Sequence, residues 1–180
     1  MPQKCGVVKK SGSKYKIGVP NQMLGSKYIG VVAESMKTQN FDKINVQNCS
    51  LYETGAEKLL PFMKNASKLN ISKNNIRKST LLLNPILSDS SNRLKVLRLD
   101  KNSIGDHSCI QLFNSLDRNK HLEILSLKEN NLTDKCSDSL CQNLINHPTL
   151  REIYLRWNHF SSFGGRKFFS GLTRNDTLKV

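Results

Sequence analysis

Leu94-Lys95-Val96-Leu97-Arg98-Leu99-Asp100-Lys101-Asn102-Ser103-Ile104 decides the fold, because its hydrophobic spacing returns twice more downstream. The later copies read Leu122-x-x-Leu125-x-Leu127-x-x-Asn130-x-Leu132 and Leu150-x-x-Ile153-x-Leu155-x-x-Asn158-x-Phe160. Followed toward the amino terminus, the punctuating position falls on Asn74, Cys49 and Gln22. Six copies therefore lie at intervals of 27, 25, 28, 28 and 28 residues. A fixed period in this range means stacked structural units rather than one folded-over domain.

The pattern has a physical reading. Leu97 and Leu99 are two residues apart, so on a strand both point to one face, and Leu94 and Ile104 enter the same interior from either side. One unit cannot bury that set alone. Stacked neighbours turn it into continuous rows, with the strands parallel along the inner wall of a curved solenoid. The recurring Asn is expected to satisfy backbone groups of adjacent turns with its amide, and Cys49 to serve there as a small, weak donor. Gln22 fits the position more loosely.

The second half of each unit carries helical spacing. After the turn, apolar residues recur in steps of three and four: Ile29, Val32 and Met36; Ala56, Leu59 and Met63; Cys109, Leu112 and Leu116; Leu140 and Leu144; Phe168 and Leu172. Such steps mark one face of a helix. A strand, a turn and a full helix in about 28 residues resemble the ribonuclease-inhibitor-like subtype of leucine-rich repeats. The resemblance spans residues 14–180, with 1–13 a basic extension. It implies an α/β solenoid, with parallel strands on the concave side and helices on the convex side.

Three places depart from the pattern. Pro85 stands where a helix should run, and a polar run, Ser88-Asp89-Ser90-Ser91-Asn92, follows it, so a short or kinked helix and a longer loop are expected. Gly18 and Pro20 weaken the first strand, and no polar capping unit is recognisable ahead of it. At the other end Leu178 opens a seventh copy, whose leucine row is expected to need cover from a partner or from further chain.

Composition narrows the function classes. Hydrophobic residues make up 37%, mean hydropathy is -0.46, and no apolar run approaches the ~18 residues of a membrane span. Residues 1–14 are basic without a secretory apolar stretch, which points to the cytoplasm. Five cysteines without a C-x-x-C pair read as reduced core residues, and the four histidines never fall at metal-ligand spacing. The Asn65 and Asn131 sequons are expected to stay unmodified without a secretory route. No phosphate-binding glycine loop, nucleophile–base pair or carboxylate pair is present, so no catalytic group, cofactor or small-molecule substrate is expected.

Charge is the other informative feature. Twenty-eight Lys and Arg against fourteen Asp and Glu give +14, favouring acidic partners and salt-sensitive binding. On the repeat alignment the concave wall carries Lys16, Lys43, Lys68, Lys73, Arg98, Lys101, Lys128 and Arg156, opposed by Asp100, Glu129 and Glu152. The last full copy adds Tyr154 and the single tryptophan, Trp157, beside Arg156. These residue types are enriched in interface hot spots. The candidate partner-binding set is therefore Tyr154, Arg156, Trp157, Arg98, Lys101, Lys128, Lys73 and Lys68.

The resemblance leaves several roles open. Similar repeats occur in the ribonuclease inhibitor, in activators of the Ran GTPase, in innate-immune receptors and in axonemal proteins of the nexin-dynein regulatory complex. An inhibitor of basic ribonucleases needs an acidic groove, which this wall is not, and no acidic tail of the Ran-activator kind is seen. What the resemblance implies is a non-enzymatic scaffold of a cilium or flagellum, with tubulin or axonemal subunits as acidic partners. A Ran-type GTPase regulator or an innate-immune-receptor-like module is the alternative. Nucleic acid ranks last, because the strands lack the regular aromatics of base-stacking surfaces.

Overall fold

The leucine rows stack as their spacing requires. A computed structural model of the chain describes residues 7–11, 14–37 and 41–179, and Cys5 lies outside them. Its strands are β1 (Val7–Ser11), β2 (Lys14–Gly18), β3 (Phe41–Asn45), β4 (Lys68–Asn70), β5 (Val96–Arg98), β6 (Ile124–Ser126) and β7 (Glu152–Tyr154). They form one open sheet in chain order, parallel from β2 to β7. Ile17, Ile44, Leu69, Leu97, Leu125 and Ile153 occupy equivalent register positions, and all but Ile153 are buried.

The helices α1 (Gly25–Lys37), α2 (Tyr52–Leu59), α3 (Asn84–Ser88), α4 (Gly105–Leu116), α5 (Ser137–Asn146) and α6 (Ser162–Leu172) alternate with the strands. They send Ile29, Ala56, Leu59, Cys109, Leu112, Leu140 and Leu144 into the same core. The fold is a leucine-rich repeat solenoid of the α/β class. Each buried Leu contributes about 1.5–3 kcal/mol, and the rows join these contributions across repeats.

Two local expectations need correction. Pro85 does not interrupt a helix. A 3-10 run over Arg77–Leu83 leads into α3, and Pro85 sits in the first turn of α3, where its missing N–H costs nothing. The helix is short, yet residues 89–95 form a connection no longer than the equivalent 117–123. The first parallel strand is not an open edge either. β1, inside the 1–13 stretch, pairs antiparallel with β2 from Val7↔Gly18 to Ser11↔Lys14. At the other end Phe160, Phe168, Leu172 and Leu178 are only half-buried against the core.

Candidate interaction surface

The surface rests on a buried asparagine ladder. The backbone N–H groups of Cys49, Asn74, Asn102 and Asn130 each donate to the side-chain Oδ1 of the Asn one repeat later, at 2.9–3.0 Å. Each of those Asn side chains returns its Nδ2 to carbonyls of its own and the preceding turn; Asn102 reaches Leu99 O at 2.9 Å and Ile71 O at 3.0 Å. Cys49 donates through Sγ to Val19 O at 2.9 Å, and burial pushes its thiol pKa up. Cys49, Cys109 and Cys136 are buried free thiols.

The ladder fixes the residue before each rung in the left-handed region: Asn21, Asn48, Lys73, Lys101, Glu129 and Trp157 all have φ between 53° and 61°. This divides the candidate residues between the strands and the turns that follow them. Lys68 lies on β4, while Arg98 and Tyr154 lie in one register row with Asn70 and Ser126 between and beside them. Lys73, Lys101 and Trp157 belong instead to the turn row at the rim. Trp157 and Arg156 are therefore not strand-face residues, because β7 ends at Tyr154 and the following turn carries them.

Within the rows some groups are brought together. The Tyr154 hydroxyl donates to Glu152 Oε2 at 2.6 Å, and Lys128 Nζ stands 4.6 Å above the Tyr154 ring. The Glu152 carboxylate raises the Tyr154 pKa, so the phenol stays protonated as a donor. Asp100 is occupied: its Oδ1 accepts from Ser126 Oγ and, at 3.0 Å, from the Lys128 backbone N–H. Lys101 pairs with Glu129 at 2.9 Å. Trp157 remains 75% exposed and Tyr154 37%; Arg156 and Lys73 are also exposed.

Toward the amino-terminal half the wall forms a shallow groove of about 400 Å³ whose lining includes Lys16, Lys43, Lys68, Arg98, Val96 and Ile124. Val96 and Ile124 were not among the sequence candidates. Their place in the Lys43–Lys68 row follows from the 28-residue period, but isolated apolar residues beside leucines read as core. Among the described residues no group of His, Cys, Asp or Glu could hold a metal ion, and no helix is long and apolar enough to cross a membrane.

With this geometry in place, the likenesses to known proteins concern the fold. The family described as Leucine Rich repeat matches residues 118–135. No curated protein matches in sequence. A solved structure titled "Leiomodin-1 Actin-Binding Site 2 (ABS2)" superposes with a TM-score of 0.58 at 21% identity, over 66% of this chain and 73% of that one.

Proposed function

We propose that this chain is a non-enzymatic scaffold that holds an acidic protein on its concave wall within a microtubule-based assembly such as the axoneme of a cilium or flagellum. The observation that carries the reading is Trp157. A large aromatic exposed over 75% of its surface and held by the turn at φ 61° beside Arg156 leaves apolar area in water that a partner would remove on binding. The basic wall beside it supplies steering toward acidic surfaces. An open sheet wall suits gripping a protein better than enclosing a reaction. The structurally similar leiomodin-1 segment carries an actin-binding title, so actin filaments form the natural comparison arm.

The test is co-sedimentation of the whole chain with microtubules and, separately, with actin filaments. The reading expects salt-sensitive binding to microtubules that the double variant Arg156→Ala, Trp157→Ala weakens at least ~10-fold. Unchanged recovery of the double variant at the same salt concentration sinks it, as does acceleration of GTP hydrolysis by a Ran-type GTPase.

A further inference from the structure

Lys16, Lys43 and Lys68 stand directly side by side on three neighbouring parallel strands, which places their backbones ~4.8 Å apart. Like charges at such spacing repel and weaken a sheet. Elsewhere this molecule sets opposite charges across neighbouring turns: Lys95 with Glu123 at 2.7 Å, Lys101 with Glu129 at 2.9 Å, Lys167 with Asp138 at 2.7 Å. The lysine row is the exception. Among the described residues none of its three ammonium groups forms an ion pair, and Glu123, the carboxylate whose pKa Lys68 helps to lower, is already bound by Lys95.

The surroundings fit an anion with an extended backbone. The groove lining holds no carboxylate and adds Arg98 one register step away. Asn45 turns its Oδ1 to the Gln47 N–H at 3.1 Å, leaving its Nδ2 as a donor. At Gly18 the groove floor is open, since a Cβ there would meet nothing within 4 Å. The same register row continues from the lysines into Val96 and Ile124, giving apolar side chains a seat after the charged ones. No aromatic ring lines the groove, so it offers no platform for stacking bases.

From this juxtaposition we infer that the wall from β2 to β6 is a docking groove for an extended acidic segment of a partner protein. Carboxylates sit on Lys16, Lys43, Lys68 and Arg98, and an apolar residue follows on Val96 and Ile124. The inference rests on the scaffold reading and locates its charge recognition in a place separate from Trp157.

The test uses the whole chain and a fluorescein-labelled oligo-glutamate peptide, read by fluorescence anisotropy at low and at physiological salt. The triple variant Lys16→Gln, Lys43→Gln, Lys68→Gln is expected to weaken peptide binding at least ~10-fold. Lys58→Gln, Lys64→Gln, Lys120→Gln removes the same charge from exposed positions outside the groove and is expected to change it less than ~3-fold. Circular dichroism melting checks folding, and Lys43→Gln alone serves if the triple variant unfolds. Equal losses from the two triple variants overturn the inference, as does an oligo-uridine of matched charge binding more tightly than the peptide. Arg156→Ala, Trp157→Ala is expected to leave peptide binding intact. If the groove variants bind peptide normally while that double variant still loses its microtubule partner, the groove fails and the scaffold stands.

Discussion

At the scale of single residues, Asn102 is the most consequential polar side chain. Its Oδ1 accepts from Asn74 N at 3.0 Å, and its Nδ2 serves two carbonyls. Asn102→Ala leaves the buried Asn74 N–H without its acceptor and takes one of two donors from Leu99 O and Ile71 O, which keep Asn130 Nδ2 and Asn74 Nδ2, so a loss of ~1–3 kcal/mol is expected in urea unfolding. Trp157 is opposite in kind, since its ladder position demands a left-handed backbone that Asn tolerates, as Asn21 and Asn48 show. Trp157→Asn is expected to raise stability by up to ~1 kcal/mol while weakening partner binding; a destabilised variant would mean that Trp157 supports the fold.

His147 belongs to a second ladder, at the helix-to-strand turn. Asn92, Asn119 and Asn175 each donate Nδ2 to a carbonyl of the preceding helix end (Lys64, Leu87 and Leu144) and accept backbone N–H groups through Oδ1. His147 takes this position in its repeat, accepting from Leu150 N at 3.1 Å through Nδ1. Burial lowers its pKa, against a smaller opposing pull from Asp117, because the charged ring would lose its water and the Nδ1 acceptor. With the folded pKa depressed, the contribution to stability is complete above about pH 6.5 and is lost as pH falls from there toward the folded value. His147→Asn is expected to flatten that stretch of a stability-against-pH curve. The first ladder was legible in the sequence because its rungs punctuate leucine rows. This one was not, because polar residues in connections are common and the histidine hides the 28-residue spacing of its neighbours.

At the scale of elements, caps and close approaches fix how one repeat sits on the next. Asp106 in the first turn of α4 accepts from Thr133 N and Oγ1, both at 2.7 Å, and Thr133 caps the 3-10 turn ahead of α5. Asp134 repeats the arrangement on Ser161, which caps α6. Gly171 lets α6 approach α5, since a Cβ there would stand 2.7 Å from Cys141 Sγ. Gly171→Ala is expected to cost ~1–3 kcal/mol, with faster amide exchange confined to residues 137–172 and the β3–β6 core unchanged. Helix phases could be read from apolar steps. The place of Pro85 could not, because the 3-10 lead-in over Arg77–Leu83 starts α3 ten residues after Asn74, where α4 starts three after Asn102, and no residue type announces it.

For the whole molecule, the account is one arc of stacked turns with two differently built regions: unpaired lysines and open floor on the inner wall toward β2, and Tyr154 with the turn residues Arg156 and Trp157 at β7. Repeat period and charge sufficed for the arc and its basic sign. The division into two regions needed register, since only aligned strands show that Lys16, Lys43 and Lys68 are neighbours and that Arg156 and Trp157 sit beyond the strand. The most direct measurement is a lysine-acylation footprint of the chain with and without microtubules, read by mass spectrometry. The account predicts slowed labelling at Lys16, Lys43, Lys68 and Lys128 with Lys58, Lys64 and Lys120 unchanged. Protection of that second group, with the first still freely labelled, would contradict it.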